Sequence, residues 1–577
     1  MPAKPRSEVR LRAAWNQDES FTSCSRLPCY AIPVLALLVA RSFLPVTLCD
    51  DAFITFKVAL NTASGLGMVF NPGENTYVST SPAWVLLLAC SRWMFGDVVL
   101  AAKTLGTVFE VLLVLSVVHL GARTGPGPVA GMFAALLLVT NPVFLLTSFS
   151  GMELPLYLLV IVLTALFLSR HQYAVAMALA AGAVWVRFDG IVVLAVALLM
   201  ATWHERQQLR TRPASVLVTM VPAAFIVLAY IVFGAVFFET WVPMSVQRKM
   251  LTSADLLSPA WLDAAGLVSR EFGNAFLGKS AYWYTHATAF PLMIAPFFIG
   301  MLRHLRLRQA STVPLLLITL VYVAVFTGSG SSYAVNFPWY FVPVLPAACL
   351  MCGAGVAWLL AAVSGISPSP DGAGRVVVLP ALAAVCWLLL SSNPLRNDAD
   401  ALVNSWGNER ERVYATAAVW TGRHVGQDAV VAANEIGAIG FFLPPGSYLI
   451  DMFGLLSRKD MLQVPFDRRI QMGLPCCIFT RAHFSYMKTI HAGMEDSYRW
   501  FAFRSLNIGI RSDMLESLRP QLSRFQTIYE TIDVDSEYQW DSASTGNPLR
   551  STGVAGEAVS SRAMPRVQLS APAISRM

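Results

Sequence analysis

Two adjacent carboxylates, Asp50 and Asp51, follow directly on an apolar run that begins near Pro28, and a long polar, glycine-rich segment comes after them. A carboxylate beside an apolar wall and a like charge is a stronger base than one in water, so one of them could deprotonate a sugar hydroxyl. Paired acids could equally hold a divalent cation, Mg²⁺ or Mn²⁺, that bridges to a phosphate. They could also simply begin a helix, because acids at the N-terminus suit the helix dipole.

Cations and further polar residues lie in or beside the apolar segments. A lipid-linked donor would need cations for its phosphate, and the candidates are Arg187, Lys249, Arg248, Lys103 and Arg41. Charges inside a membrane are costly and often functional. Arg187 could instead pair with the neighbouring Asp189, and Arg41 could extend to the membrane surface. The acceptor-binding or supporting candidates are Glu74, Glu153, Asp189, Glu239, Trp339 and Tyr340; the two aromatic residues fit an interfacial belt better than sugar stacking.

The composition is that of a membrane protein. Of 577 residues, 55% are hydrophobic and 13% charged, with a mean hydropathy of +0.56, whereas soluble domains carry about 25% charged residues. Apolar runs of about 20 residues, each long enough to cross a bilayer, recur along the first two thirds. The net charge of +7 lies mostly in short loops, so it bears on membrane orientation and not on a nucleic-acid partner.

We predict eleven spans with a cytoplasmic N-terminus, because basic short loops face the cytoplasm. The orientation holds if the apolar stretch 81–95 lies in the membrane interface, which places the basic segments 204–212 and 303–308 on the cytoplasmic side. The acid pair and the other polar clusters then face outside. The predicted spans are 28–48, 98–120, 128–146, 154–168, 173–185, 190–203, 214–238, 287–301, 312–327, 340–363 and 376–391.

The chain therefore divides into four parts. Residues 1–27 form a basic cytoplasmic arm, and residues 28–392 form a transmembrane domain whose interfacial segment is 49–96. Residues 393–541 show strand-like alternation and predict an extracytoplasmic α/β domain. Residues 542–577 are rich in Ser, Ala, Gly and Arg and predict a disordered tail. Motifs for ATP or dinucleotide binding and the HExxH zinc motif do not occur, which points to a donor already in the membrane.

The sequence "DDAFITFKVALNTASGLGMVFNPGE" (residues 50–74) resembles the pattern DDAxIxxRYAxNxxxGxGxxFNxGE, with Lys57 in place of Arg and Val58 in place of Tyr. That pattern belongs to GT-C fold glycosyltransferases that use polyprenyl-phosphate sugars, in particular the actinobacterial terminal arabinofuranosyltransferases (type B) and their relatives. Weaker likenesses follow in the same order: SGME at 150–153, RFDG at 187–190, VPMSVQRK at 242–249 and GAIGFF…IDMFGL at 437–455. Met244 and Ser245 replace Asn and Thr of the family.

The resemblance implies an inverting glycosyltransferase of the bacterial plasma membrane, with no cofactor beyond the divalent cation considered above. Its acid pair would act as base at the extracytoplasmic face, Arg187 and Lys249 would stabilise the departing phosphate, and the C-terminal domain would help to bind a glycan acceptor of the cell envelope. Arabinofuranose is the sugar that the family suggests. Alternatives are a transporter or flippase of lipid-linked sugar, a protein O-glycosyltransferase of the same fold, and an inactive relative that serves as a scaffold.

Overall fold

The computed structural model describes residues 27–43, 48–123, 127–211, 213–250, 258–279, 290–307, 310–330, 337–364, 409–454, 456, 473–481, 497–503 and 506–518. Within these ranges a helical region extends to residue 364, and a small α/β domain begins at residue 409. The predicted arm and tail, and the predicted span 376–391, lie outside the described residues.

The helical region begins with a helix, two short helices and a long one, and continues as a bundle. The helices are, in chain order, α1 (Leu27–Phe43), α2 (Asp50–Ala63), α3 (Pro82–Phe95), α4 (Val98–Gly121), α5 (Pro128–Thr140), α6 (Pro142–Phe149), α7 (Leu154–Ser169), α8 (Tyr173–Val186), α9 (Ile191–Thr211), α10 (Pro213–Phe238), α11 (Met244–Met250), α12 (Pro259–Phe276), α13 (Ile294–Arg306), α14 (Val313–Gly328) and α15 (Leu345–Ser364).

Five segments of the described residues are long and apolar enough to cross a membrane, and a bent pair of helices makes a sixth. The five are Val98–Gly121, Phe188–Arg206, Thr219–Phe238, Ala310–Gly328 and Pro338–Ala362. Large apolar side chains on them, such as Leu199, Phe225 and Leu320, are more than half exposed, which suits contact with lipid tails as apolar as themselves. The prediction of an α-helical polytopic protein is confirmed.

The other predicted spans within the described residues also fall on helices, but several of these are short. Leu27–Ser42, Leu154–Ser169 and Tyr173–Val186 are apolar helices of 10–17 residues, below the about 20 that a perpendicular span needs. The basic segment 204–212 was predicted as a loop, and its residues up to Thr211 instead continue α9. Glu, Gln, Leu and Arg are strong helix formers, and the next helix begins at Pro213, a good first helical residue.

The bent pair is α5 and α6, whose axes differ by 66°. Pro142 disfavours helical geometry at the preceding residue, which ends α5 at Thr140. The Asn141 side chain then caps α6, accepting the Val143 N–H at 2.9 Å, and its amide donates to the Ala275 carbonyl of α12 at 3.0 Å. The break in the helix is thus fixed by a neighbouring helix.

The segment between α1 and α4 contains helices too short to cross the membrane. α2 and α3 have 14 residues each, or about 21 Å at 1.5 Å per residue, against a hydrocarbon core of about 30 Å. They pack against each other, and α2 also packs against a helix of the C-terminal domain. These lengths match the predicted interfacial helices.

The C-terminal domain contains α16 (Glu409–His424), β1 (Val430–Ala433), α17 (Gly437–Phe442), β2 (Tyr448–Asp451), β3 (Cys477–Arg481), β4 (Tyr498–Phe503) and β5 (Leu506–Arg511). The sheet order is β2-β1-β3-β5-β4. β1 pairs in parallel with β2 and β3, so that Ala432 lies opposite Ile450 and Ile478. β5 pairs antiparallel with β3 and β4, and α16 packs against α17.

Candidate active site

The loop 150–153 packs against the beginning of α2, where the acid pair lies. The Cys49 N–H donates to the Ser150 carbonyl at 3.2 Å, and the Trp84 indole N–H donates to the Gly151 carbonyl at 3.2 Å. Gly151 has φ of +86°, and a Cβ there would lie 2.9 Å from atoms of both Leu48 and Phe56. Only glycine fits this approach, so the structure explains why the SGME motif belongs beside the acid pair.

Asp50 is held by the C-terminal domain. Its Oδ2 accepts the Gly437 N–H at 2.9 Å, and its Oδ1 accepts the Ala438 N–H at 2.8 Å. The residue is only 3% exposed. A Cβ at Gly437 would lie 1.8 Å from the Asp50 carbonyl oxygen, so the two backbones touch. Both carboxylate oxygens are thus committed to amides of the first turn of α17.

Asp51 differs from its neighbour in exposure. It is half-buried, whereas Asp50 is buried, because successive residues of a helix point about 100° apart. When Asp50 faces the C-terminal domain, Asp51 therefore faces another direction, with more access to solvent. The structure gives the two acids different surroundings, which the sequence could not distinguish.

Lys57 lies about two turns beyond Asp50 on α2. It is 7% exposed, and burial lowers the pKa of its ammonium to about 8. The position at which the resembling family has Arg is therefore occupied here by a buried lysine that loses its charge more readily than a lysine in water.

Glu411 of α16 is a third acid near the pair, and sequence reasoning missed it. Its Oε1 accepts a hydrogen bond from Arg410 at 2.6 Å, while its Oε2 is buried and has no hydrogen-bond partner among the described residues. Burial, together with the Asp50 charge, raises the pKa of the Glu411 carboxyl to about 7, although Arg410 opposes this. No local signal marked Glu411, because only the folded C-terminal domain brings it to Asp50.

Arg187 is the centre of a buried charge cluster with Glu153 and Asp189. Its Nη1 donates to Glu153 Oε1 at 2.8 Å, and its Nε donates to Asp189 Oδ1 at 3.0 Å. The Tyr322 hydroxyl donates to Asp189 Oδ2 at 2.7 Å, and the Tyr340 ring centroid is 5.5 Å from Arg187 Cζ. Two carboxylates thus face one guanidinium, so the internal pairing considered above is present and extends to Glu153.

Arg41 is likewise paired. It donates to the Glu110 carboxylate of α4, with an N–O distance of 2.7 Å, and its Cζ lies 3.9 Å from the Phe149 ring centroid. Lys103, on the same face of α4 near Arg41, is half-buried and interacts electrostatically with Arg41 and Asp97. Arg41 and Glu110 therefore join α1, α4 and α6.

The segment 76–81, which precedes α3, links two further motifs. The Thr80 carbonyl accepts the Phe188 N–H at 3.2 Å, and the Tyr77 carbonyl accepts the Met244 N–H at 2.9 Å. The motifs at 187–190 and 242–249 are therefore neighbours of one short segment. Arg248 is half-buried on α11, and the side chain of Lys249 lies outside the described part of the structure.

The remaining predicted site residues are dispersed. Glu74 accepts a hydrogen bond from the Tyr448 hydroxyl and so lies at the junction with the C-terminal domain. Glu239 is exposed at the turn after α10, with φ of +57°. Trp339 is 3% exposed and packs against Phe337, with ring centroids 4.9 Å apart, so it does not belong to an interfacial belt.

A second contact joins the interfacial segment to the sheet. The Asn71 amide donates to the Leu449 carbonyl at 2.9 Å and accepts the Leu449 N–H at 3.2 Å, which reproduces a strand pairing at β2. Phe53 packs against Phe441 with ring centroids 5.4 Å apart. The sequence contained Asn71 within the first motif, but its partner is a backbone and leaves no pattern.

Each Asp50 oxygen accepts one backbone N–H, which leaves a second lone pair on each oxygen. A divalent cation held by Asp50 and Asp51 therefore stays a prediction. Among the described residues, no group of three or more His, Cys, Asp or Glu is arranged to hold a metal ion.

Comparison with known proteins gives a fold and a C-terminal domain family. A family described as a domain of unknown function, DUF8728, matches residues 403–539, and no curated protein matches the chain. The structure of ArnT from Cupriavidus metallidurans in the apo state is similar, with a TM-score of 0.52 and 16% identity over 84% of this chain and 97% of that one. The same protein bound to undecaprenyl phosphate gives 0.51 and 15% over the same shares.

These likenesses show the fold alone, because the identity is low. The chain has the GT-C fold, with a helical membrane region, interfacial helices and a small C-terminal sheet. The matched family of unknown function coincides with the α/β domain that holds Asp50.

Proposed function

We propose that the protein is a glycosyltransferase that moves a sugar from a polyprenyl-phosphate donor to a hydroxyl group of a cell-envelope glycan. The observation that carries the proposal is the acid pair at the beginning of α2, outside the membrane-spanning helices and packed against the loop 150–153. The first motif and the GT-C fold support it. The ArnT structure bound to undecaprenyl phosphate supports a lipid phosphate as the donor class.

We assign the general base to Asp51. Asp50 has both oxygens committed to the amides of Gly437 and Ala438, whereas Asp51 is half-buried on another side of α2. A base must lie within hydrogen-bond reach of the hydroxyl from which it takes the proton. Asp51 is the member of the pair whose exposure suits an acceptor that arrives from water.

The reaction balances as a single displacement with inversion. Asp51 takes the proton of the acceptor hydroxyl, and the hydroxyl oxygen forms a bond to the anomeric carbon. The bond between that carbon and the phosphate oxygen breaks, and polyprenyl phosphate leaves with the electron pair. A phosphate is a good leaving group, so no general acid is required.

Cations near the leaving phosphate would stabilise the charge that grows in the transition state. We assign this role to Arg248 and Lys249 of α11. That helix begins at Met244, whose N–H donates to the Tyr77 carbonyl. Arg187 already faces Glu153 and Asp189, so we assign it to positioning of the loop 150–153 and of the motif 187–190. Arg41 on α1 and Lys103 on α4 remain further candidates for the phosphate.

The resemblance of the first motif suggests arabinofuranose as the sugar. With a cytoplasmic N-terminus, the acid pair and the C-terminal domain face the outer side of a bacterial plasma membrane. The acceptor would then be a glycan of the envelope, reached from the aqueous side.

The test is sugar transfer by the purified full-length protein in detergent. A panel of decaprenyl- and undecaprenyl-phosphate sugars (arabinofuranose, mannose, glucose, galactose) is offered with mixed oligosaccharide acceptors. We expect transfer from one donor class, and a loss of about 10² to 10⁴-fold in Asp51→Asn, the usual contribution of a general base. Asp513→Asn is the matched control, because Asp513 is an exposed acid of the C-terminal domain.

Asp51→Asn that transfers sugar as fast as the wild type would remove the base assignment. Absence of transfer with every donor, together with movement of lipid-linked sugar across liposomes, would replace the enzyme with a transporter.

A further inference from the structure

We propose that the C-terminal domain, the matched domain of unknown function, is a component of the catalytic site and sets the position of the acid pair. Gly437 and Ala438 are its positioning residues, since they act through Asp50 and not on the substrate. This inference rests on the proposed function, and it gives the domain a role other than binding the acceptor.

The contact between the two regions is specific in its geometry. Two successive backbone amides of α17 donate to the two oxygens of one carboxylate, at 2.9 and 2.8 Å. Hydrogen bonds to an ionised group are about twice as strong as neutral ones. The Asp50 residue that accepts these two bonds is only 3% exposed. The first turn of α2 is therefore held in one orientation, and the direction in which Asp51 points follows from it.

The backbones must touch for this contact to form. A Cβ at Gly437 would lie 1.8 Å from the Asp50 carbonyl oxygen and 2.8 Å from its Cγ, and a Cβ at Gly440 would lie 2.3 Å from the Phe70 ring. Gly437 and Gly440, about one turn apart on α17, thus let the helix lie directly on α2 and on the segment after it. Any larger side chain at Gly437 would clash with the Asp50 backbone, which cannot rotate away.

Contacts on both sides keep the helix α17 in register with α2. Asn71 pairs with both backbone groups of Leu449 in β2, and Tyr448 donates to Glu74. On the other side, Phe53 lies 5.4 Å from Phe441 and 5.7 Å from Phe442 between ring centroids. The junction thus combines polar, aromatic and backbone contacts around the one carboxylate.

A domain that bound only the acceptor would not need its main chain against a candidate catalytic acid. A domain that orients the acid would instead affect the rate of the chemical step. The two roles therefore differ in kinetics: loss of orientation lowers kcat with the acceptor KM unchanged, whereas loss of acceptor binding raises KM.

The experiment compares Gly437→Ala with Gly446→Ala in the full-length protein. A Cβ at Gly446 would lie 2.4 Å from Asp428 Oδ1, at the end of a side chain that can move, and 3.1 Å from the Gln427 carbonyl oxygen, against 1.8 Å to backbone at Gly437. Gly446 lies in the turn before β2. We expect kcat to fall at least about tenfold in Gly437→Ala, with acceptor KM and undecaprenyl-phosphate binding within about twofold of wild type, because a misplaced group costs rate more than affinity. Gly446→Ala should keep both parameters. A raised acceptor KM with kcat intact, or equal effects of the two substitutions, would overturn the inference.

A second measurement does not depend on activity. Hydrogen–deuterium exchange of a peptide covering 436–443 should be slow in the wild type and in Asp51→Asn, and about tenfold faster in Asp50→Asn, since the bonds to a charged acceptor are weakened. Unchanged exchange in Asp50→Asn would refute the contact. If no donor is ever transferred, the proposed function fails while this measurement still decides whether the domain holds Asp50.

Discussion

Two buried acidic centres of the molecule are neutralised in different ways. Around Arg187, two carboxylates share one guanidinium and a tyrosine hydroxyl, and all partners belong to the helical region. At Asp50, the carboxylate faces backbone amides of another domain, with Glu411 as a like-charged neighbour. The first centre is closed within one domain, whereas the second exists only when two domains meet. Asp50 is thus held by contacts between two domains, and substitutions on either side can disturb them.

The largest effect should come from the closed centre. Arg187→Met leaves the buried Glu153 and the partly buried Asp189 without their cation, and removing one partner of a buried ion pair costs about 3–5 kcal/mol. Thermal unfolding in detergent measures this as a marked drop in Tm. Arg511→Ala, which breaks the more exposed pair with Asp513, is the control and should leave Tm nearly unchanged. Equal shifts in the two variants would mean that the Arg187 cluster is not a structural centre.

Asn71→Ala, at the junction between the interfacial segment and the C-terminal domain, should lower stability by a smaller amount. The substitution leaves the Leu449 N–H and carbonyl without their partner, and an unsatisfied buried group costs about 1–3 kcal/mol. Limited proteolysis of the C-terminal domain should become faster, and exchange at residues 448–451 should rise. Asn61→Ala is a useful comparison, because Asn61 bonds to Val69 and Phe70 within the interfacial segment. It should loosen that segment without exposing β2.

The smallest and most pH-dependent effect concerns Glu411. Burial and the Asp50 charge raise the pKa of this carboxyl from 4.5 to about 7 in the folded protein. The folded state then holds the proton more tightly than the unfolded state, so this group's contribution to stability is lost as the pH rises from about 4.5 through 7. Glu411→Gln removes this dependence.

The Tm of Glu411→Gln should therefore exceed that of the wild type at pH 8 and approach it at pH 5. The measurement is a pair of pH–Tm curves in one detergent. Parallel curves would show that Glu411 does not titrate beside Asp50, and would weaken the like-charge description of the Asp50 centre.

Much of the fold could be predicted from the sequence, because hydrophobic length is a local property. The spans around α4, α10 and α15 and the short interfacial helices followed from apolar runs and from the placement of basic residues. The motifs at 150–153 and 187–190 were expected on the same side of the membrane, and Glu153 and Arg187 form a pair at 2.8 Å.

The contact between Asp50 and the C-terminal domain could not be predicted in the same way. Gly437 and Ala438 contribute backbone amides, which every residue carries, so no residue type announces them. Glu411 and Asp50 are brought together only by tertiary folding across the whole helical region. Arg187 was assigned to the phosphate, with pairing to the neighbouring Asp189 as the alternative, and a sequence does not reveal that Glu153 from another loop also faces it.

The most direct test of the split between the two acids is a single-turnover measurement of sugar transfer in Asp50→Asn and Asp51→Asn, run beside exchange of residues 436–443. We expect Asp51→Asn to lose transfer and keep slow exchange, and Asp50→Asn to exchange faster and retain part of the transfer. Transfer abolished in Asp50→Asn but preserved in Asp51→Asn would contradict this expectation, because the acid held by the C-terminal domain would then be the base.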